Sequence, residues 1–223
     1  MSIKRKLLVA AATLTILGGV SASTNAATPD CGLACGSVFS HELGSYTQPG
    51  PVEGVLGGVA RVGQPVILKP ASSSDPSLDI IPHGAPVSAF YEAGQVSAEV
   101  NSHYGDLLGV QQEYAPFGIE TGLCVGLAKV AYQNEGLTLQ PCDVSARTVW
   151  IIDTPDSHVP MFFAIVNAST RGFERPFAMD LRRDEVVNER KTIQIHVRRL
   201  KFLTDDKTLP DSQLWGFIPG VLN

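Results

Sequence analysis

Positive charge is in short supply: the chain carries 17 lysines and arginines against 22 aspartates and glutamates, a formal net charge of −5. That balance excludes nucleic acid or an anionic lipid surface as a partner recognised through bulk charge. Long apolar runs are scarce too. Beyond residue 27 nothing approaches the roughly 20 apolar residues that span a bilayer, so no membrane insertion is expected. The common catalytic motifs are missing: there is no Gly-x-Ser-x-Gly elbow and no glycine-rich phosphate loop ahead of a helix. His41-Glu42 opens like a zinc-protease helix, but no second histidine follows at the required spacing and Gly44 breaks the helix. None of the five histidines (His41, His83, His103, His158, His196) stands in a catalytic setting, and His83 and His103 read as solvated loop residues. Paired carboxylates could converge from anywhere in a chain, but Asp184-Glu185 and Asp205-Asp206 read as decoration of turns. The expectation is a protein without catalytic residues, cofactor or metal, hence not an enzyme.

The first 27 residues have the three parts of a signal peptide: basic Lys4-Arg5-Lys6, an apolar run from Leu7 to Val20, and a small, polar approach ending at Ala26-Ala27. Cleavage after Ala26 or Ala27 removes three positive charges and leaves about 196 residues at a net charge of −8, the size of one domain. No Leu-x-x-Cys pattern precedes Cys31, so the product is expected to be secreted and released. Four cysteines in an exported chain predict two disulfides, with three connectivities open. Cys31 and Cys35 are close enough to close on each other, which leaves Cys124 with Cys142. The paired knuckle spacing of a zinc site is absent. Asn167-Ala168-Ser169 fits a glycosylation sequon, although the leader has bacterial character.

The stretch from Gly122 to Asp153 reads as short β-type runs separated by turns: Gly122–Leu127, Leu137–Cys142 and Thr148–Asp153. Thr138 alternates with Leu137 and Leu139, and Asn134-Glu135-Gly136 supplies a chain reversal. This pattern recurs. Leu68-Lys69-Pro70 matches Leu139-Gln140-Pro141, and eleven residues after each leucine stand Asp79 and Trp150. Further runs at Gly54–Leu56, Val59–Val62 and Val66–Leu68 fill the first copy. In the third, Phe177–Leu181 occupies the place of Leu123–Leu127, Thr192–Val197 alternates, and Gln213-Leu214-Trp215 closes the unit. Between the first two copies, Val87–Tyr104 has partly helical spacing broken by Gly94, which fits a short helix or a hairpin. A β-sandwich would also give many short strands.

Three copies of a four-strand unit, each closed at an equivalent buried place, resemble the ricin B-type repeat and imply an all-β chain with the β-trefoil fold. Gln213-Leu214-Trp215 matches that family's Gln-x-Trp triplet in full, Thr148-Val149-Trp150 keeps the tryptophan, and Ser77-Leu78-Asp79 keeps neither end. The resemblance implies that Trp150 and Trp215 are core residues. It also implies a glycan site needing an aspartate two residues after the first repeat cysteine and an asparagine before the triplet. The aspartate place holds Val55, Gly126 and Asp180 in turn, and the asparagine place holds Pro76, Arg147 and Ser212. Only the third copy keeps the aspartate, so Asp180 and Gln213 are the candidate sugar-binding residues.

Residues 28–51 have few strong apolar anchors, Val38, Phe39, Leu43 and Tyr46 among them. They read as an extended N-terminal strap that docks on another secreted protein through a groove or a sheet edge, ahead of a trefoil over 52–223. Its copies fall roughly at 52–83, 84–155 and 156–223. In this layout the chain resembles small secreted actinobacterial trefoil proteins and is similar to the adaptor subunits of umbrella toxin particles. The resemblance implies a non-enzymatic protein-binding adaptor, with a glycan-binding lectin as the alternative. Arg182-Arg183 and Arg198-Arg199-Lys201 concentrate positive charge that could meet an acidic partner or simply face solvent.

Overall fold

The computed structural model describes residues 27–48, 50–143, 145–154, 159, 161–182, 186–187, 190–191, 193–203 and 208–220. The leader through Ala26, Arg183, the two acidic turn pairs, His158 and Thr192 lie outside them. Among the described residues no helix is long and apolar enough to cross a membrane.

The first repeat contributes β1 (Gly36–Ser40), β2 (Val52–Val55), β3 (Val66–Lys69) and β4 (Ile80–Pro86). The second contributes β5 (Leu108–Tyr114), β6 (Leu123–Gly126), β7 (Thr138–Pro141) and β8 (Trp150–Asp153). The third contributes β9 (Ala164–Asn167), β10 (Phe177–Arg182), β11 (Ile193–Arg199) and β12 (Trp215–Pro219). First and last strands of successive repeats build a barrel: β4 pairs with β5, β5 with β8, β8 with β9, and β12 with β1. The Phe163↔Trp215 bridge joins β12 to the approach to β9. The middle strands form hairpins β2–β3, β6–β7 and β10–β11. These meet one another across one end, through Ile193↔Leu68, Pro65↔Thr138 and His196↔Gly136. A barrel capped by three hairpins is the β-trefoil.

A short 3₁₀ turn precedes the last strand of each repeat, at Pro76–Leu78, Ala146–Thr148 and Asp211–Gln213. It aligns the repeats by geometry. Ile80, Trp150 and Trp215 then share one place, all three fully buried in one cluster. The indole N–H of Trp150 donates to Val125 O (2.8 Å) and that of Trp215 to Met179 O (3.1 Å), so each ring is both buried and satisfied. This corrects the match of Asp79 with Trp150: the first repeat's equivalent triplet is Leu78-Asp79-Ile80. Val59–Val62 is corrected as well. It is not a strand but an exposed turn between β2 and β3.

The strap assignment needs a larger correction. Val38 and Phe39 sit in β1, buried, with Phe39 facing Gly216 and Val52 in the two flanking strands. Leu43 and Tyr46 pack against the core, and the Tyr46 hydroxyl donates to Met161 O (2.9 Å) while accepting from Phe217 N (3.2 Å). Phe39 packs edge-to-face on Tyr46 (5.3 Å) and Phe162 (5.6 Å), and Tyr46 lies tilted on Phe162 at 5.1 Å. The physical reason is closure. A barrel lacking β1 would leave β12 with an unpaired edge, so the extended segment is the first repeat's own opening strand and the trefoil begins near Gly36 rather than at 52.

Both disulfides are formed, Cys31–Cys35 (Cα–Cα 5.6 Å) and Cys124–Cys142 (4.8 Å). The chain just before Cys31 is anchored by Asp79, which accepts from Thr28 N (2.7 Å), Thr28 Oγ1 (2.6 Å) and Phe117 N (2.9 Å). Between β4 and β5 the chain makes two helices, α1 (Val87–Glu92) and α2 (Ala98–Tyr104). Gly94 breaks them apart at φ +74°, and Ser97 caps α2 by accepting from Val100 N. Their buried residues, Val87 and Phe90 on α1 and Val100 and Tyr104 on α2, follow helical spacing. Asn134 takes the left-handed turn at φ +64°, and the end of the Gln194 side chain packs against Gly136.

Candidate functional site in the third repeat

Asp180 projects from β10 opposite His196 of β11, and Gln213 lies on the 3₁₀ turn before β12. Gln213 is fully buried and wholly engaged: Oε1 accepts from Lys201 N (2.9 Å) and Nε2 donates to Arg199 O (3.2 Å). Gln213 and Ser212 also donate to the Asp180 carboxylate. The two candidate residues are therefore brought together by the structure. Burial pushes the Asp180 carboxyl up to about 6, against the opposing pull of Arg198 and of those two hydrogen bonds.

A hollow of about 650 Å³ opens beside them, lined also by Gln133, Arg175, Arg198, Lys201 and Pro210. Its walls mix hydrogen-bonding groups with cationic ones. Arg199, read above as free positive charge, is committed to structure. Its Nη1 donates to Arg171 O (2.7 Å) and Arg175 O (2.8 Å), and its guanidinium lies 4.1 Å over the Phe177 ring. Arg175 and Arg198 each spend only Nε, on Leu200 O (3.0 Å) and Asn134 Oδ1 (2.9 Å). Their outer guanidinium nitrogens have no other hydrogen bond within the described residues. Arg183 and the Arg182 side chain lie outside the described residues.

The equivalent places in the other repeats are filled. Strand register puts Gly54, not Val55, opposite Gly126 and Asp180, because Glu53↔Leu68 aligns with Val125↔Leu139 and Met179↔Val197. A β-carbon at Gly54 would lie 2.5 Å from Leu78 Cδ2, and one at Gly126 would lie 2.8 Å from Thr148 Cγ2 and 3.0 Å from Arg147 O. Arg147 closes the second site further by binding Ser145 Oγ (2.9 Å) and Ala128 O. Of these three equivalent strand positions, only Asp180 borders the hollow described above among the described residues.

The histidines are more engaged than the sequence implied. His83 is on β4 rather than a loop, with Nε2 3.0 Å from Glu113 Oε2 and 3.8 Å from Glu120 Oε1, while Gly122 N orients Glu113 (2.6 Å). Those three side chains could hold a divalent cation; Cys31, Cys35 and Asp79 also cluster, but their sulfurs are bonded to each other. His103 is on α2 and stacks on Phe173 at 4.8 Å, beside a hollow of about 950 Å³ between the helices and the third repeat. His41 pairs with Asp211 at 3.0 Å. Asn167 of the sequon is fully buried and bonds Ser169, which removes it from glycosylation.

Sequence reading missed Glu53 and Gln112, a buried polar pair that joins the hairpin strand β2 to the barrel strand β5. Aligning strands by register rather than by motif exposes the first, since its counterparts are Val125 and Met179.

No family model matches the chain, and no curated protein does. Solved structures do. A designed three-fold symmetric protein, ThreeFoil, superposes with a TM-score of 0.53 at 9% identity, covering 83% of this chain and 98% of its own. The Rhizoctonia solani agglutinin (TM-score 0.46, 16% identity, 83% and 95% covered) is also similar, as is a proteinase inhibitor from Coprinopsis cinerea (0.47, 14%, 84% and 97%). At these identities the likeness to ThreeFoil speaks for the fold alone, and this chain is a β-trefoil.

Proposed function

We propose that the protein is a secreted, non-catalytic binding protein that takes glycans at its third repeat. The observation that carries this is the Asp180 carboxylate, held by Gln213 and Ser212 at the edge of a solvent-reached hollow, while Gly54 and Gly126 are sealed. A carboxylate fixed in this way accepts from sugar hydroxyls without losing further freedom on binding. Arg175, Arg198 and Lys201 around it favour a glycan that also bears a carboxylate or sulfate. The test is an array of neutral and acidic glycans probed with wild type, Asp180→Asn and Arg198→Gln. Binding of acidic glycans that both substitutions abolish, in variants with unchanged melting transitions, supports the reading. An array with no signal overturns it.

Protein capture, the adaptor role, is supported by a different surface. Asp79 ties Thr28 and Phe117 to one carboxylate, and a β-carbon at Gly118 would lie 3.0 Å from Asp30 O, so the Cys31 loop and the 116–119 turn are neighbours. They expose Leu33 (72%), Phe117 (52%) and Ile119 (69%), the second held at φ +57°. Exposed apolar side chains on rigid turns suit a protein partner. Secreted-fraction pull-downs with Leu33→Ser/Phe117→Ser/Ile119→Ser should lose partners that wild type retains; an unchanged set rejects this surface.

A further inference from the structure

Two adjoining strands and one turn bring an imidazole nitrogen and two carboxylates to a single point on the surface. Ile81 of β4 stands opposite Glu113 of β5, and His83 stands opposite Gln111. Strand alternation therefore puts His83 and Glu113 on one face as diagonal neighbours, a separation that long side chains can close. They close it: His83 Nε2 lies 3.0 Å from Glu113 Oε2. Glu120 reaches the same nitrogen from the turn after β5, with its Oε1 at 3.8 Å.

The carboxylates are held in place from behind. Glu113 is buried, and its Oε1 accepts from Gly122 N (2.6 Å), which leaves Oε2 to face the imidazole. The turn that carries Glu120 is hydrogen-bonded on both sides of it, Ile119 N donating to Pro116 O (3.2 Å) and Thr121 N to Tyr114 O (3.2 Å). The charges, by contrast, do not balance. Among the described residues the two carboxylates have no lysine or arginine at ion-pair distance and share one histidine, which supplies at most a single positive charge. A divalent cation supplies two.

We infer that His83 Nε2, Glu113 Oε2 and Glu120 Oε1 bind a divalent transition-metal ion of the zinc class, with water completing its coordination. The three atoms lie within 4.8 Å of one another. Ligands about 2.0–2.2 Å from zinc stand about 3.3–3.5 Å apart in a tetrahedron, so small side-chain movements about the 3.0 and 3.8 Å contacts seat the ion. The imidazole sets the class, since magnesium and calcium take oxygen donors. Gly122 N–H then becomes the outer partner that orients a metal-bound carboxylate. The sequence leads to no metal being expected because these donors are spread over two strands and a turn instead of one motif. The site shares no residue with the Asp180 hollow.

The test is calorimetric titration of the untagged full chain, stripped of metal by a chelator, with zinc chloride and with magnesium chloride. Zinc should bind saturably, one ion per chain, and at least about tenfold tighter than magnesium, which gives up its water reluctantly. His83→Ala and Glu120→Gln should each weaken zinc binding by more than about tenfold, the least that loss of a mere orienting partner costs. Both side chains are largely outside the packed interior, at 44% and 58% exposed, so neither substitution removes a core contact. His41→Ala and His103→Ala, at histidines elsewhere on the surface, should leave zinc affinity unchanged. No saturable zinc binding, magnesium as tight as zinc, wild-type affinity in either site variant, or a loss that follows His41 or His103 would each overturn the assignment.

Discussion

Gln112 Nε2 of β5 donates to Glu53 Oε2 of β2 at 3.1 Å, both residues buried, and at the place of Glu53 the other repeats have Val125 and Met179. Glu53 is fully buried, and among the described residues no cation bonds it. Burial raises its carboxyl from 4.5 to about 8, the Gln112 hydrogen bond pulling only weakly the other way. A neutral Glu53 still accepts from Gln112 Nε2 through Oε2, while Glu53 Oε1 and Gln112 Oε1 are buried without a hydrogen bond among the described residues.

A pH dependence of stability follows from this. Between about pH 4.5 and 8 the unfolded chain has lost the Glu53 proton and the folded one keeps it, so stability falls as pH rises through that window. Below it the contribution is fully present, and above it the loss levels off at roughly 5 kcal/mol. Glu53→Gln keeps a hydrogen-bonding pair without a proton to lose. Urea midpoints measured from pH 5 to 9 should converge for the two proteins at the acid end and separate at the alkaline end, with the variant more stable. Parallel curves would show that Glu53 is ionised in the fold.

Asp79 fixes the start of the described chain. Its three donors, Thr28 N, Thr28 Oγ1 and Phe117 N, come from segments far apart in sequence. Asp79→Ala strands all three in a buried setting, which should cost about 3 kcal/mol or more, as hydrogen bonds to a charged acceptor run about 1.5–3 kcal/mol each. Hydrogen exchange should quicken at residues 28–35 and 116–119 while the barrel strands keep their protection. A loss below about 1 kcal/mol would mean that solvent satisfies these groups.

The sequence carried the fold through its strongest local signals. Leu139-Gln140-Pro141-Cys142 and Gln213-Leu214-Trp215 combine strand alternation, a disulfide and a large aromatic, each of which constrains the chain locally. The opening strand was illegible for the opposite reason. Gly36–Ser40 has two strong apolar residues, Val38 and Phe39, and its pairing with Trp215–Pro219 joins the two ends of the barrel. Contacts of that sequence separation leave no periodicity to read. The one-residue slip at Asp79 arose because the first repeat keeps neither the glutamine nor the tryptophan, so only the 3₁₀ turn fixes Ile80 as their partner. Asp180 and Gln213 are legible as motif residues and Arg198 and Lys201 as a positive cluster, whereas Arg175 joins that wall from a loop that no motif spans.

The closed second repeat gives the last prediction. If the aspartate were all that the second repeat lacked for a ligand, Gly126→Asp would create a site there. The backbone says otherwise: the new β-carbon would sit 2.8 Å from Thr148 Cγ2 and 3.0 Å from Arg147 O, closer than packed atoms tolerate. Thr148 cannot withdraw freely, because its hydroxyl bonds Ser145 O (3.1 Å) and receives Gln111 Nε2 (3.0 Å). The substitution should therefore destabilise the protein by about 1–3 kcal/mol, the usual cost of overpacking, and add no glycan signal. Chemical denaturation and the same glycan array read both outcomes. A Gly126→Asp protein as stable as wild type, with new binding that persists in the Asp180→Asn background, would show that the second repeat lost its ligand through one side chain rather than through its packing.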